Sequence, residues 1–305
     1  MMTRRQAFSA ISGLAMARPA GTLVDTHIHL FASDQSRFPY HPNAPYKPPA
    51  QPVEDYVKFA AAARIDHAVI VHPEPYQDDH RYLEYCLSRE HRPGFFKATC
   101  LFDPIAPDTP ARMEALVKKL PDRIVAMRIH EVRPAGEPPA SSGAIKERDL
   151  SHPAMRATWK QAQSLGLAIQ MHFVPCHAPQ IGELAAAFPK VPVVLDHLGR
   201  AGQGTPAEFE GVLKLAQLPR TYMKYSGVNY SSRQPYPFPD ARPFVRKVYD
   251  AFGPGRIIWG GLGYNLEEFD QQAKLLDLMF DYASESDRAR IRGLNALEVY
   301  RFRPA

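Results

Sequence analysis

Residues 23–31, LVDTHIHLF, carry three ionisable side chains at alternate positions: Asp25, His27 and His29. The flanking residues are apolar and β-branched, so the segment reads as a strand, and alternate residues of a strand share a face. Asp25, His27 and His29 are therefore expected on one side, with Val24, Thr26, Ile28 and Leu30 on the other. Gathering such groups on one face of an apolar strand is costly unless each finds a partner. Of the twelve histidines in the chain, four more fall toward the carboxyl ends of other strand-like runs: His72, His130, His172 and His197. Imidazoles brought to one place can ligate a metal, donate hydrogen bonds to a carbonyl oxygen, or move a proton near neutral pH.

What must position them is a repeating pattern. Strand-like runs at 23–30, 67–73, 95–102, 124–131, 167–173, 191–198, 221–227 and 256–261 alternate with amphipathic stretches. These stretches lie at about 52–64, 78–90, 109–120, 153–165, 178–188, 206–218 and 242–252, with further helices at about 266–283 and 286–300. Eight βα units of this length predict the α/β class and a single-domain (β/α)8, TIM-type barrel over residues 21–305. Turns entering the strands are short (ARID, SLG, FPK), whereas the segments after the first, fourth and seventh strands are long. Those three loops hold much of the chain's 30 prolines. Proline presets the backbone and removes a donor, so they read as stiffened coil. All three are placed on the carboxyl-terminal face, where barrels of this kind keep their active sites.

The 305 residues are 45% apolar and 23% charged, ordinary for a soluble globular protein, and a chain this long can bury a large core. The net charge of +5 comes from scattered Lys and Arg rather than basic runs, which argues against nucleic acid as a partner. No run of about 18 apolar residues is present, so no membrane span is expected. Cys86, Cys100 and Cys176 are too few and too far apart for a disulfide framework or a zinc ribbon. At the amino terminus, Arg4-Arg5, an apolar stretch from Ala7 to Ala17 and an Ala-Met-Ala site fit a Tat-type export signal over residues 1–20, hence a periplasmic protein. The alternative is a disordered tail on a cytoplasmic one. The oligomeric state is open, with a homo-oligomer compatible.

VDTHIHL, AIQMHF, VLDHLGR and the closing NALEVYRF together resemble the amidohydrolase superfamily, and within it the amidohydrolase-2 branch of lactonase-like hydrolases. The resemblance runs from about residue 22 to 303. It implies a distorted barrel with His27 and His29 on the first strand in the active site, His172 ending the fifth strand and His197 the sixth. It also implies that Arg128 and Arg200 meet a substrate carboxylate or carbonyl. Some members of the branch hold a divalent metal and others hydrolyse lactones without one. One departure stands out. The branch ends its eighth strand with Gly-(Ser/Thr)-Asp, an aspartate that ligates metal, activates water or both. Here the segment is WGGLG, with Leu262 at the aspartate position, and leucine can do neither.

Two chemical schemes survive that loss. In one, His27, His29 and His172 hold a single divalent ion, zinc or manganese, with water in an open position. The fourth strand ends in Arg128 and His130 rather than a lysine, against a two-metal centre. In the other, metal-free scheme, His27, His29 and Arg128 polarise the carbonyl directly. In both, His197 or His130 is the candidate base. Arg128, Arg133 and Arg200 suggest an anionic or polyhydroxylated small-molecule substrate. Tyr40, Tyr46, Tyr225, Asn229 and Tyr230 are candidates to line its pocket. Lys97 and Lys224 could reach the site by strand parity. Asp25 is read as orienting a histidine ring, and Asp196, one residue before His197, as pointing to the opposite face. The leading expectation is a hydrolase of a lactone or ester of a sugar acid or dicarboxylate. A lyase or decarboxylase, which needs no activated water, and a non-catalytic binding barrel are the alternatives.

Overall fold

The computed structural model describes residues 21–134, 136–137, 149–263 and 265–302, so the expected export segment lies outside the described residues. Eight strands form one parallel sheet in chain order: β1 (Val24–Ile28), β2 (His67–Val71), β3 (Phe96–Leu101), β4 (Ile124–Glu131), β5 (Ala168–Phe173), β6 (Val193–Leu195), β7 (Thr221–Tyr225) and β8 (Ile257–Trp259). Helices α1 (Val53–Ala62), α2 (Arg81–Leu87), α3 (Thr109–Lys119), α4 (Met155–Leu165), α5 (Ala178–Ala187), α6 (Pro206–Lys214), α7 (Arg242–Phe252) and α8 (Leu266–Met279) follow the strands in turn. Short helices α9 (Glu285–Ala289) and α10 (Asn295–Val299) close the chain. This is the (β/α)8 barrel the alternation predicts.

The local chemistry explains the elements. Proline stands in the first turn of α3, α5, α6 and α7, where its missing N–H costs nothing. Thr205 and Glu208 close a reciprocal capping box at the start of α6. Small and β-branched side chains at the strand starts, Val24, Val69, Ala126, Ala168, Val194 and Ile258, pack with Tyr300 and Phe302 and plug the amino-terminal end of the barrel. The imidazole-bearing strand ends lie at the opposite, carboxyl-terminal end.

The barrel is distorted where β1 meets its neighbours. From the pair Asp25–Ala68 to the pair Ile28–Ile70, β1 advances three residues while β2 advances two, which is a β-bulge. The bulge breaks the alternation, so the expected one-sided stack does not form. Asp25 turns to the seam between β1 and β8, accepting from Gly261 N at 2.9 Å, with the Tyr56 hydroxyl of α1 at 3.5 Å. His27 turns into the barrel. Side chains stitch the β8–β1 seam: Thr26 Oγ1 donates to the Trp259 carbonyl at 2.5 Å, and Lys224 Nζ donates to the Thr26 carbonyl at 2.9 Å. A Cβ on Gly260 would lie 2.7 Å from that of His27, so this seam closes only over a glycine.

Candidate active site

Five imidazoles form a continuous wall at the carboxyl ends of the strands. Ring centroids run His29–His27 4.9 Å, His27–His197 4.6 Å, His197–His172 5.2 Å and His172–His130 5.1 Å. Strand ladders place His130 directly beside His172. The sixth strand-end histidine, His72, leaves the group: it stacks on His80 at 4.4 Å and binds the Gln77 carbonyl through Nε2 at 2.9 Å.

Hydrogen bonds assign the protons. His29 Nδ1 lies 2.8 Å from the Val71 carbonyl and must donate to it, which leaves Nε2 as a lone pair. His27 Nε2 lies 3.2 Å from that lone pair. Two imidazole nitrogens bound to one tetrahedral ion also stand about 3.4 Å apart, so this pair fits two ligands of a divalent cation, with the Val71 carbonyl fixing the outer nitrogen of His29. His172 Nδ1 is turned onto His130 Nδ1 at 3.2 Å. The expected ligand triad His27, His29 and His172 is therefore not what converges. Among the described residues, the three potential ligands whose donor atoms lie within 4.8 Å of one another are His27, Asp196 and His197.

Asp196 is the main departure from the sequence reading. β6 stops at Leu195, and residues 197–200 all have left-handed backbone, with φ of 55°, 57°, 61° and 50°. Three of those four carry a Cβ, a strained arrangement of the kind found at functional sites. Strand parity therefore ends before the DHLGR motif, and Asp196 and His197 both reach the barrel interior. Asp196 Oδ2 accepts from Arg128 Nε at 3.2 Å and Gln170 Nε2 at 3.1 Å, and Arg128 Nη2 lies 3.1 Å away. Its Oδ1 faces Lys224 Nζ at 3.4 Å and His27 Nδ1 at 3.8 Å. Arg128 is thus held by a buried carboxylate behind the imidazoles instead of projecting freely to substrate.

Burial sets the electrostatics. It drives His27 and His172 well below the ordinary imidazole pKa and lowers His29 and His197 to about 3, with Arg128 adding to each shift. All four are neutral at pH 7 and offer lone pairs. Burial also lowers Lys224 to about 8, opposed by Asp196. In Asp196 burial pushes upward, but Lys224, Arg128, His197 and Gln170 together hold the carboxyl below its usual value. Burial raises Asp25 to about 6 despite its two backbone donors. Lys224 and Arg128 stand against Asp196 and Asp25 in the interior, and Arg200 at the mouth adds the further positive charge that favours an anion.

The mouth holds Arg200, Tyr230 and Tyr46. The Arg200 guanidinium lies 4.6 Å over the Tyr230 ring, which in turn packs 5.1 Å from His197. Arg200 Nη1 bonds Gln203, while its buried Nε has no hydrogen-bond partner. Tyr46 is 45% exposed, yet burial of its hydroxyl raises its pKa to about 12, with Glu74 and Arg128 within electrostatic reach. His197 Nδ1 is bonded to Ser226 Oγ at 2.9 Å, a partner the sequence did not announce.

Other expected site residues lie elsewhere. Lys224 faces inward on β7, so its neighbour Tyr225 faces outward; Tyr225 packs on Phe280 and donates to the Leu275 carbonyl at 3.3 Å. Asn229 is exposed, and the next residue, Tyr230, makes the contact with the wall. Arg133 is clamped by Glu131 at 3.0 and 2.6 Å and lines a cavity with His177 and Asp149 that none of the five histidines borders. Lys97 donates to the Asp122 carbonyl and lies over Phe302 at the plugged end. Leu262 stands at the end of β8 with φ 55°. Glu74, which the sequence reading passed over, lies with its Oε1 3.6 Å from His130 Nδ1; the short run HPEPY just after β2 was the available signal.

A parallel eight-stranded barrel with a wall of imidazoles at its carboxyl-terminal mouth places the candidate site where barrels of this kind keep their chemistry. The sequence family Amidohydro_2, described as amidohydrolase, matches residues 24–302, and the chain belongs to that family of hydrolases. It is 29% identical over 292 residues to the 4-sulfomuconolactone hydrolase of Hydrogenophaga intermedia, covering 92% of this chain and 89% of that protein. It is 27% identical over 260 residues to the L-fucono-1,5-lactonase of Burkholderia ambifaria, covering 81% and 84%. A solved structure of a probable 2-pyrone-4,6-dicarboxylic acid hydrolase from Acinetobacter baumannii, crystallised with citric acid, superposes with a TM-score of 0.74 at 17% identity, over 92% of this chain and 100% of that one. That likeness supports the fold.

Proposed function

We propose that this protein hydrolyses a small lactone that carries an anionic group. The observation that carries the reading is the continuous imidazole wall backed by Arg128 and flanked by Arg200. Neutral imidazoles at His27 and His29 can meet a carbonyl oxygen, and the free Nε of Arg200 suits a carboxylate or sulfonate at the mouth. An anion bound there offsets the two guanidinium charges and raises the basicity of His172 and His197, so substrate itself prepares the base. Two curated relatives are lactone hydrolases by name, one acting on a sulfonated lactone, in keeping with this choice.

His27 and His29 are the residues that would hold a divalent ion, zinc or manganese. When bound, such an ion supplies Lewis-acid polarisation of the carbonyl. The positioning of the substrate anion by Arg200 and the proton handling by imidazole are the work of this chain in either case.

A second reading, a lyase on the same scaffold, is favoured by Leu262, since carbon–carbon cleavage needs no activated water. The deciding experiment offers the full-length enzyme a panel of neutral, carboxylated and sulfonated lactones and follows acid release with a pH indicator. Turnover confined to the anionic lactones, with KM raised at least tenfold by Arg200→Met, supports the reading. Carbon dioxide or an unsaturated product from a carboxylated substrate, with no lactone opened, overturns it.

A further inference from the structure

We propose that Glu74, His130 and His172 form a proton relay that supplies the general base missing from the end of β8, an inference that rests on the hydrolytic reading above. The two rings meet nitrogen to nitrogen, Nδ1 to Nδ1 at 3.2 Å, so one proton must lie between them. His172 Nε2 is buried and has no hydrogen-bond partner, and its ring faces His197 across the wall. That nitrogen is the open end of the relay. Glu74 Oε1 stands 3.6 Å from that same Nδ1 of His130, beside the nitrogen that receives the relayed proton.

The loop that presents Glu74 is held rigidly. Pro73 and Pro75 flank it, and a 3-10 turn spans Glu74–Tyr76. Gln77 has left-handed backbone, φ 51°, and its carbonyl is gripped by His72 Nε2 at 2.9 Å while its side chain donates to the Glu74 carbonyl at 2.6 Å. His80 Nε2, at the far end of the loop, accepts from Leu101 N at 3.1 Å. The displaced histidine His72 and its stacking partner thus serve the site at one remove, by fixing the loop that carries the carboxylate.

The proton inventory balances. In the resting state His172 carries its proton on Nδ1, shared with the His130 Nδ1 lone pair, and His130 carries one on Nε2. Water attacks the lactone carbonyl; its oxygen forms the new C–O bond, and one of its protons passes to His172 Nε2. The Nδ1 proton of His172 moves to His130 Nδ1, leaving a His130 imidazolium beside the Glu74 carboxylate. When the ring C–O bond breaks, the proton returns along the same path to the leaving alkoxide. Glu74 and His130 are positioning residues; His172 alone touches the reacting water. Among the described residues, charged and titratable groups facing this trio include His29, Tyr46, Arg128, His197 and Arg200.

Two measurements on the full-length enzyme test the relay. Histidine 15N NMR in the absence of substrate is compared between wild type, Glu74→Gln and Glu74→Asp. Loss of the carboxylate lowers the pH at which His130 titrates, and aspartate restores much of the shift. Identical His130 and His172 titrations in wild type and Glu74→Gln overturn the relay, whether or not any lactone is turned over. On an opened lactone, Glu74→Gln lowers kcat about 10–100-fold with KM within about threefold, moves the acidic limb of the kcat profile to lower pH, and Glu74→Asp recovers activity. Unchanged kcat and an unchanged acidic limb also overturn it. A wild type that opens no lactone defeats the hydrolytic reading alone and leaves the NMR comparison to decide the relay.

Discussion

Asp196 and Lys224 meet at 3.4 Å in the middle of the barrel, and neither side chain has any exposure to solvent. Each is costly to bury by itself; together with Arg128 and Gln170 they make one charge-paired polar core beneath the histidine wall.

Removing the carboxylate leaves two buried cations facing each other. Asp196→Ala is expected to cost about 3–5 kcal/mol of stability and to abolish activity, because Arg128 loses its anchor. Lys224→Met, which leaves Asp196 still bonded to Arg128 and Gln170, is expected to cost clearly less. Urea denaturation of the two variants gives the ordering, and the reverse order refutes the role assigned to Asp196.

Acid should unfold the protein from an unusually high pH. His29 and His197 are held near 3 and His72 near 4 in the fold, against 6.5 for the free side chain. Below 6.5 the unfolded chain binds protons that the native state refuses, so the stability these groups provide is full above 6.5 and falls as pH drops toward about 4. Asp25, raised from 3.8 to about 6, acts in the opposite direction between those values, one group against these three and against His27, His80 and His172, which burial also lowers. Unfolding free energies at pH 7.5, 5.5 and 4.5 should decline in that order; a flat or rising series contradicts the buried neutral imidazoles.

Leu262, which the sequence resemblance sets where the branch keeps an aspartate, has a left-handed φ of 55°, a backbone that aspartate adopts more readily than leucine. Leu262→Asp is therefore expected to fold with wild-type stability within about 0.5 kcal/mol. It should raise lactone hydrolysis, and should rescue Glu74→Gln by providing a second acceptor for the proton. Loss of hydrolysis in the single variant would show that the apolar side chain itself is needed there.

Metal analysis separates the two ways of polarising the carbonyl. If an ion sits on His27 and His29, protein purified without chelator carries about one equivalent of zinc or manganese. Both His27→Ala and His29→Ala lose it, whereas His172→Ala retains most of it. Metal content that depends on His172 as strongly as on His27 and His29 would reinstate the triad read from the sequence.

Strand count, chain order and the convergence of His27, His29, His130, His172 and His197 were all legible in the sequence, because apolar periodicity and strand ends are local signals. The family resemblance added the barrel's distortion and the gap at Leu262. Parity failed at two places for a physical reason each. A bulge in β1 separated Asp25 from His27, and the left-handed turn after β6 swung Asp196 into the interior. The same parity, had it been applied from Lys224, would have placed Tyr225 outside.

The sequence by itself determined the scaffold, the histidine set and the absence of an acid at position 262. Only the tertiary structure decided which charges share the barrel's interior and which carboxylate stands behind which imidazole. Arg128 comes from β4, Lys224 from β7 and Asp196 from the turn after β6, and Glu74 reaches His130 from a loop 56 positions away in the chain. Such pairings are fixed by register, bulges and backbone hand, which depend on the closed barrel as a whole and leave no periodic mark in the chain.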